Sequence, residues 1–298
     1  MHLVRFQLPG QPPQAGVRTG DTVAPVRGIT RIAELLHLTA EELRTATAPD
    51  QLGDPIPLSG VRLLAPLDGY GEVWCAGVTY ERSRGARMEE STEQSVYDRV
   101  YSAKRPELFP KAAAWRVVTE GEPIGIRGDS GHDVPEPELA VVANRYGEIV
   151  GFTICNDVSS RSIEGENPLY IPQAKVFAGG CALANGIRPV WEVADPKDLT
   201  IDLAIRRGDE EVFTGTTSTK NLVRELQDLI DVLFFPNDFP DGVILATGTG
   251  IVPELDFALQ ADDVVAIAIS EIGTLTNTVA VGREPFAFLA AQTLEENR

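Results

Sequence analysis

The stretch that most constrains the fold is residues 135–175, where closely spaced carboxylates adjoin apolar segments typical of β-strands. Glu136 and Glu138 are two residues apart, so on an extended strand their side chains point to the same face. The apolar run 139–142 continues this strand, and segment 149–155 is predicted to return antiparallel to it. The sequence therefore predicts a β-hairpin that carries both glutamates at one end.

The return strand leads to Asp157, which brings a third carboxylate to the same end of the hairpin. Three carboxylates with no His or Cys at ligand spacing are typical of an oxygen site for a hard divalent ion. Mg²⁺ is expected, with Mn²⁺ or Ca²⁺ as alternatives, and Zn²⁺ is not. Such a triad leaves roughly two or three coordination positions for water or a chelating ligand. The alternative interpretation is three solvated surface charges, since an E-x-E pattern on a strand is common.

Several further motifs follow the hairpin or overlap with it. They are Glu136-Pro137-Glu138-Leu139-Ala140, Gly151-Phe152-Thr153, Asn156-Asp157-Val158-Ser159-Ser160-Arg161, Lys175 and Thr247-Gly248-Thr249-Gly250. In this combination the last three quarters of the chain resembles the fumarylacetoacetate hydrolase superfamily. Segments 77–84 and 162–175 also resemble one branch of it, the 2-keto-3-deoxy-D-arabinonate and 2-keto-3-deoxy-D-xylonate dehydratases.

The resemblance implies roles for individual residues. It implies that Glu136, Glu138 and Asp157 hold the divalent metal, and that Lys175 lies beside the substrate as a catalytic residue. A lone T-G-T-G sequence is also compatible with a simple tight turn. In the family, however, the matching loop contacts the substrate carboxylate, so Thr249 is predicted to bind substrate.

A second catalytic residue is predicted at Glu107, in a predicted loop over residues 105–111. Its carboxyl lies among prolines and apolar residues, and such surroundings disfavour the ionised form and raise the pKa. A carboxyl with a raised pKa is suited to acid/base catalysis near neutral pH. A glutamate at the matching place in the dehydratase-like members serves as acid/base, so the resemblance implies the same role here.

Most family members carry an N-Y-x-x-H signature at the place of residues 79–83. Here the histidine is replaced by Ser83. In the carbon–carbon hydrolases of the family that histidine activates water, so its absence counts against a hydrolase. We predict that Ser83 and the adjacent Arg84 bind substrate.

The expected activity is the metal-dependent dehydration of a 2-keto-3-deoxy-pentonate to 2,5-dioxopentanoate in oxidative pentose breakdown. One alternative is another 2-oxo acid enzyme of the same superfamily, namely a hydrolase, decarboxylase or isomerase. A second alternative, from another class, is a non-catalytic protein that binds keto acids through a metal.

The expected fold is α+β and β-rich, with a rolled mixed β-sheet of the fumarylacetoacetate hydrolase type. Residues 66–298 are predicted to form this catalytic domain. Residues 1–65 are predicted to form a small N-terminal accessory domain, in which the Pro/Gly-rich segment 9–16 is a loop followed by short helices.

The net charge of −18 argues against nucleic acid or an anionic membrane as a partner, because such binding requires a basic face. A small anionic 2-oxo acid is compatible with this charge, since a bound metal and a few local cations reverse the field inside a cleft. No signal peptide or membrane span is evident, which predicts a cytoplasmic protein. The resemblance implies a homodimer or homotetramer.

Overall fold

The computed structural model describes residues 1–90 and 94–296. The N-terminal part of the chain forms a five-stranded antiparallel sheet in the order β4-β3-β2-β1-β5. Its strands are β1 His2–Gln7, β2 Gln14–Thr19, β3 Thr22–Pro25, β4 Ile56–Pro57 and β5 Arg62–Leu64, and the helices α1 Ile32–Leu35 and α2 Ala40–Ala46 lie between β3 and β4.

The predicted loop over residues 9–16 is wrong at its C-terminal end, because β2 begins at Gln14. Gln14 pairs with Phe6 of β1. Gly16 lies so close to the Phe6 ring that a Cβ would clash with it. The glycine that suggested a loop therefore serves the close approach of two strands, which is one of the uses of glycine within a sheet.

The rest of the chain forms two larger sheets and six helices within the described residues. The strands are β6 Glu72–Gly77, β7 Glu107–Ala113, β8 Val118–Thr119, β9 Ile124–Ile126, β10 Asp133–Val134, β11 Pro137–Ala143, β12 Ile149–Asp157, β13 Ser159–Ser160, β14 Cys181–Leu183, β15 Arg188–Pro189, β16 Thr200–Arg207, β17 Glu210–Ser218, β18 Val243–Ala246, β19 Val264–Ile269 and β20 Gly273–Val281. The helices are α3 Glu81–Glu90, α4 Gln94–Ser102, α5 Arg161–Glu166, α6 Ile171–Lys175, α7 Leu226–Phe234 and α8 Ala287–Glu296.

The central sheet has eight strands, seven of them in the order β7-β6-β18-β11-β12-β14-β8, with β15 also paired to β12. The other large sheet has the order β17-β16-β19-β20-β9, and β10 pairs with β13 in a separate two-stranded sheet. Most pairs are antiparallel, but β18 with β6, β14 with β8 and β20 with β9 are parallel. Both sheets curl into half-barrels, so the predicted β-rich α+β fold with a rolled mixed sheet is confirmed.

The predicted hairpin forms the middle of the central sheet. Strands β11 and β12 pair antiparallel, with Glu138 opposite Cys155. Every residue of β11 is buried, because the sheet is covered on both faces. Leu139 and Val141 pack in the core shared with the second large sheet, whereas Ala140 and Val142 pack in a core that includes the N-terminal sheet. Alternation along the strand therefore assigns Glu138 to the face toward the N-terminal sheet.

The division into residues 1–65 and 66–298 stays a prediction. Leu3 of the first sheet and Val73 of the central sheet share one apolar core, so the two parts pack closely. Among the described residues, no helix is long and apolar enough to cross a membrane.

Candidate metal centre and active site

The three carboxylates predicted from the sequence come together where β11 begins and β12 ends. The backbone N–H of Asp157 donates to the carbonyl of Glu136 at 3.0 Å, which fixes this end of the hairpin. One oxygen from each of Glu136, Glu138 and Asp157 lies within 4.8 Å of the others. Their exposed fractions are only 3%, 2% and 1%, so the alternative of solvated surface charges is wrong. A group of this composition can bind a metal ion.

Two cationic side chains contact the triad from the segments that follow β12. The ammonium of Lys175, at the end of α6, donates to Glu136 Oε2 at 2.7 Å, to Asp157 Oδ2 at 3.0 Å and to Ser159 Oγ at 2.5 Å. Arg161 Nη2, at the start of α5, donates to Glu136 Oε1 at 3.2 Å. Both cations are buried, so these ion pairs are little screened by solvent.

Glu138 differs from the other two carboxylates in its surroundings. It accepts a hydrogen bond of 2.6 Å from the backbone N–H of Gly248, but it forms no ion pair with the residues that the structure describes. Burial, followed by the nearby charges of Asp157 and Glu136, raises its pKa well above the usual range. A cation beside Glu138 would stabilise its ionised form, and its oxygen donors suit a hard divalent ion. The residues present therefore fit a metal site.

The loop after β18 supplies this N–H group because of a glycine. Gly248 has φ = 96°, which residues with a side chain rarely adopt, and a Cβ there would collide with the Thr79 hydroxyl. The same hydroxyl donates to the carbonyl of Thr247 at 2.6 Å and holds the loop against the end of β6. The backbone of the T-G-T-G loop thus lies close to the carboxylate cluster.

A cleft opens above the triad, and most of the predicted site residues line it. Its lining comprises Ala76, Gly77, Val78, Ser83, Glu107, Phe109, Glu136, Glu138, Asp157, Glu164, Ile171, Lys175, Gly248 and Thr249. Seven of the eight residues that the sequence predicts for the site thus reach one cleft. Their chemical roles stay predictions.

Glu107 lies on a strand, so the predicted loop over residues 105–111 is wrong. It begins β7, the edge strand of the central sheet, and pairs with Gly77 at the end of β6. The Glu107 carboxylate crosses over Gly77 so closely that a Cβ there would collide with it. The two prolines that suggested a loop are tolerated because an edge strand has unpaired backbone groups.

Arg84 is the one predicted site residue that the structure does not bring to the cleft. Its guanidinium lies 4.8 Å from the centre of the Tyr101 ring and 3.6 Å from Asp98, both on α4. Ser83, one residue earlier on α3, is buried and lines the cleft. The spacing of apolar residues over 86–104 predicts one amphipathic helix. The structure has parts of α3 and α4 over this range, and residues 91–93 lie outside the described residues.

Sequence analysis missed three charged residues of this region. Glu164 lies one helical turn after Arg161 on α5 and lines the cleft as a further carboxylate. Arg161 belongs to the N-D-V-S-S-R motif, so its place in that motif was an available signal. Lys111 is buried with its ammonium 2.5 Å from Asp157 Oδ1. No local pattern in the sequence indicates that contact.

Family profiles match nearly the whole chain. The profile described as fumarylacetoacetate (FAA) hydrolase C-terminal matches residues 72–280. The chain belongs to this family. A second profile, described as Rv2993c-like, N-terminal, matches residues 1–66.

Two curated relatives are dehydratases of sugar acids. A probable 2-keto-3-deoxyxylonate dehydratase of Haloferax volcanii is 49% identical over 214 residues, which are 72% of this chain and 73% of the relative. The 2-dehydro-3-deoxy-D-arabinonate dehydratase of Saccharolobus solfataricus is 39% identical over 264 residues, with coverages of 87% and 88%. The chain is thus similar to enzymes that remove water from 2-keto-3-deoxy acids.

A solved structure extends this similarity to three dimensions. It is a 2-keto-3-deoxy-D-arabinonate dehydratase complexed with magnesium and 2,5-dioxopentanoate. The two chains are 35% identical and superpose with a TM-score of 0.81, over 95% of this chain and 100% of the other. In that relative, the fold accommodates both a divalent ion and a five-carbon keto acid.

Proposed function

We propose that this protein is a Mg²⁺-dependent lyase that converts a 2-keto-3-deoxy-pentonate, of the arabinonate or xylonate type, into 2,5-dioxopentanoate. The observation that carries the proposal is one cleft that contains the buried carboxylate triad, Lys175 and Glu107. The dehydratase relatives support the same reaction. In chemical terms, the substrate loses a C3 proton and the C4 hydroxyl as water, and the unsaturated acid tautomerises to the aldehyde.

Glu136, Glu138 and Asp157 are the residues that would hold the ion. When bound, Mg²⁺ acts as a Lewis acid that stabilises the negative charge developing on the keto acid as the C3 proton leaves, a contribution of several kcal/mol. The three carboxylates are buried from water, and electrostatic interactions are stronger in such surroundings than in bulk water. Mn²⁺ and Ca²⁺ have compatible ligand preferences.

Lys175 and Glu107 divide the proton transfers. The Lys175 ammonium lies among Glu136, Asp157 and Ser159, next to the space where the keto acid would sit. Its role is to remove the C3 proton as the neutral amine or to stabilise the enolate by its charge as the ammonium. Glu107 lies at the cleft lining on the edge strand, where it exchanges protons at C3 or C4 of the substrate. This arrangement is compatible with either residue, Lys175 or Glu107, transferring a proton first.

Substrate binding is assigned to Ser83 and Thr249, which are buried at the cleft lining. The substrate is a small anion, and the local cations Lys175 and Arg161 attract it despite the overall charge of −18. We further propose that the protein works as a homodimer or homotetramer in the cytoplasm, in a pathway of pentose oxidation.

The main rival is another reaction on a 2-oxo acid, such as hydrolysis of an acylpyruvate. Ser83 counts against hydrolysis, because the cleft presents a hydroxyl where the hydrolases of the family present a water-activating histidine. A binding protein without catalysis would not require Glu107 and Lys175 beside the same triad. Dehydration is therefore the reaction best supported.

The deciding experiment is a turnover assay with both C4 epimers of 2-keto-3-deoxy-pentonate. We expect one epimer, in the presence of Mg²⁺, to give an aldehyde that a dehydrogenase-coupled assay detects as 2,5-dioxopentanoate. Treatment with a chelator should abolish turnover, and Mg²⁺ or Mn²⁺ should restore it. Full activity after removal of the metal, or release of pyruvate instead of the dioxo acid, would contradict the proposal.

A further inference from the structure

A second buried lysine, which does not line the cleft, contacts the carboxylate triad. The side chain of Lys111 is 0% exposed, and its ammonium lies 2.5 Å from Asp157 Oδ1. It also donates to the backbone carbonyl of Val158 at 2.9 Å and to that of Lys175 at 2.6 Å. The two carbonyls accept hydrogen bonds from the ammonium, whereas its contact with Asp157 Oδ1 is an ion pair without hydrogen-bond geometry.

A β-bulge turns Lys111 toward the triad. In the pairing of β6 with β7, Trp74 is opposite Pro110 and Val73 is opposite Ala112, so Lys111 is an extra residue on β7. Bulges next to active sites commonly re-aim a side chain in this way. As a result Lys111 and Ala112 are both buried, which breaks the alternation expected of a regular strand.

The contacts of Lys111 divide the Asp157 carboxylate between its two oxygens. Oδ1 faces Lys111, whereas Oδ2 accepts from Lys175 at 3.0 Å. Lys111 itself is not among the residues that line the cleft. It therefore cannot touch the substrate in this arrangement and acts through the residues that do line the cleft.

Lys111 also contacts the backbone carbonyl of Lys175. Lys175 is the last residue of α6, where the final carbonyls of a helix lack partners within the helix. The Lys111 ammonium caps this carbonyl and so ties the end of the helix to β7. It thereby fixes the position of the Lys175 backbone relative to Asp157.

We propose that Lys111 is a positioning residue with two effects. It holds Asp157 Oδ1 in an ion pair, so that Asp157 offers only its other oxygen to the metal, and it anchors the backbone of Lys175. This inference rests on the proposed function, because it assigns the triad to a metal ion. An octahedral ion with one oxygen from each of three carboxylates keeps roughly three positions, enough for a chelating keto acid and one water. If Asp157 contributed both oxygens, one of these positions would be lost.

The test uses Mn²⁺ as a probe of the metal and pyruvate as a probe of the chelating acid. We compare the wild type with Lys111→Met, which keeps most of the apolar stem and removes the ammonium. Lys220→Met is a matched control at an exposed lysine. Electron spin echo measurements in labelled water count the water ligands on Mn²⁺, titration calorimetry gives the affinities for Mn²⁺ and pyruvate, and thermal unfolding checks the fold.

The expected result for the wild type is about three water ligands on Mn²⁺, of which pyruvate displaces about two. In Lys111→Met, Asp157 can rotate and bind with both oxygens, so the count should fall by about one. Pyruvate affinity of the Mn²⁺-loaded protein should fall by about 10- to 100-fold. Mn²⁺ affinity should be retained or rise, because the substitution removes a positive charge beside Asp157 that repels the ion. Lys220→Met should match the wild type.

Three outcomes overturn the inference alone. The first is a wild-type count of about two, which refutes the inference even when Lys111→Met does not fold. The second is a folded Lys111→Met with the wild-type water count and pyruvate affinity. The third is loss of Mn²⁺ and pyruvate binding together by similar factors, which indicates a merely structural role. A wild type without Mn²⁺ binding would overturn the proposed function as well, whereas a wild type with about three waters and no dehydratase activity would refute only the proposed reaction.

Discussion

Replacing Glu138 by glutamine should separate the stability of the metal-free protein from its affinity for a metal. Glu138 is 2% exposed and lies beside the carboxylates of Glu136 and Asp157. Burial and these two charges raise its pKa, so the metal-free fold contains a carboxyl in an unfavourable place. Glutamine has nearly the same shape and no charge. We therefore expect Glu138→Gln to be more stable than the wild type without metal and to bind Mg²⁺ far more weakly.

The size of the stability gain has an upper limit. In an unfolded chain a glutamate ionises near pH 4.3, and at pH 7 the folded protein can avoid the buried charge by taking up one proton. Over that interval the proton uptake costs about 4 kcal/mol at most. Glutamine still accepts the hydrogen bond from Gly248 N–H, but its buried NH₂ group requires an acceptor, and a missing one costs about 1 to 3 kcal/mol. The expected net gain at pH 7 is about 1 to 3 kcal/mol.

The stability of the metal-free wild type should also depend on pH because of Glu138. Because the pKa of Glu138 is raised on folding, the folded state binds more protons than the unfolded state above the unfolded pKa. This group therefore lowers the stability of the wild type as pH rises from about 4.3 toward the folded pKa. The stability advantage of the variant should be largest at neutral pH and smallest near pH 4, where the proton uptake no longer costs free energy.

The assay is urea unfolding of chelator-treated protein at several pH values between about 5 and 7, followed by titration calorimetry with Mg²⁺. Changes beside metal ligands cost about 10- to 100-fold in affinity, so loss of a ligand itself should exceed about 100-fold. Glu211→Gln, at an exposed residue of β17, is the control and should change neither property. A metal-free Glu138→Gln that is less stable than the wild type at pH 7, or that binds Mg²⁺ equally well, would refute this reasoning.

Two further substitutions and one substrate assay test other parts of the site. Glu107→Gln should lower kcat by roughly 10² to 10⁴ with little change in pyruvate affinity, because the amide cannot exchange protons; a raised KM with an intact kcat in steady-state assays would instead make Glu107 a binding residue. Because Ser83 stands in place of the hydrolytic histidine, acylpyruvates and fumarylacetoacetate should show little or no turnover in a spectrophotometric assay, and efficient cleavage of either would overturn the dehydratase assignment. Gly248→Ala should lower the free energy of unfolding by about 2 kcal/mol or more, because alanine is strained at φ = 96° and its Cβ meets Thr79; an unchanged urea midpoint would show that the loop can relax.

Local pattern alone predicted the hairpin at the centre of the molecule. Glu136, Glu138 and Asp157 converge because alternation along a strand and the antiparallel return determine which end and which face they occupy. These are properties of a chain segment of about 20 residues, so they can be inferred before any distant part of the protein is known. Lys175 and Thr249 lie far from that hairpin in sequence, and only the family resemblance associated them with it.

Strand pairing and ion pairs between segments distant in sequence could not be predicted from local patterns. Glu107 was predicted on a loop because of its neighbouring prolines, but pairing with β6 makes this segment an edge strand. Lys111 could not be recognised, because its burial depends on a bulge against β6 and on acceptors at Asp157, Val158 and Lys175. The sequence alone thus predicts the carboxylate triad and the hairpin that carries it, since both follow from local periodicity. Only the folded chain shows which charged groups surround these carboxylates, because such contacts arise only when separate segments pack together and exclude water.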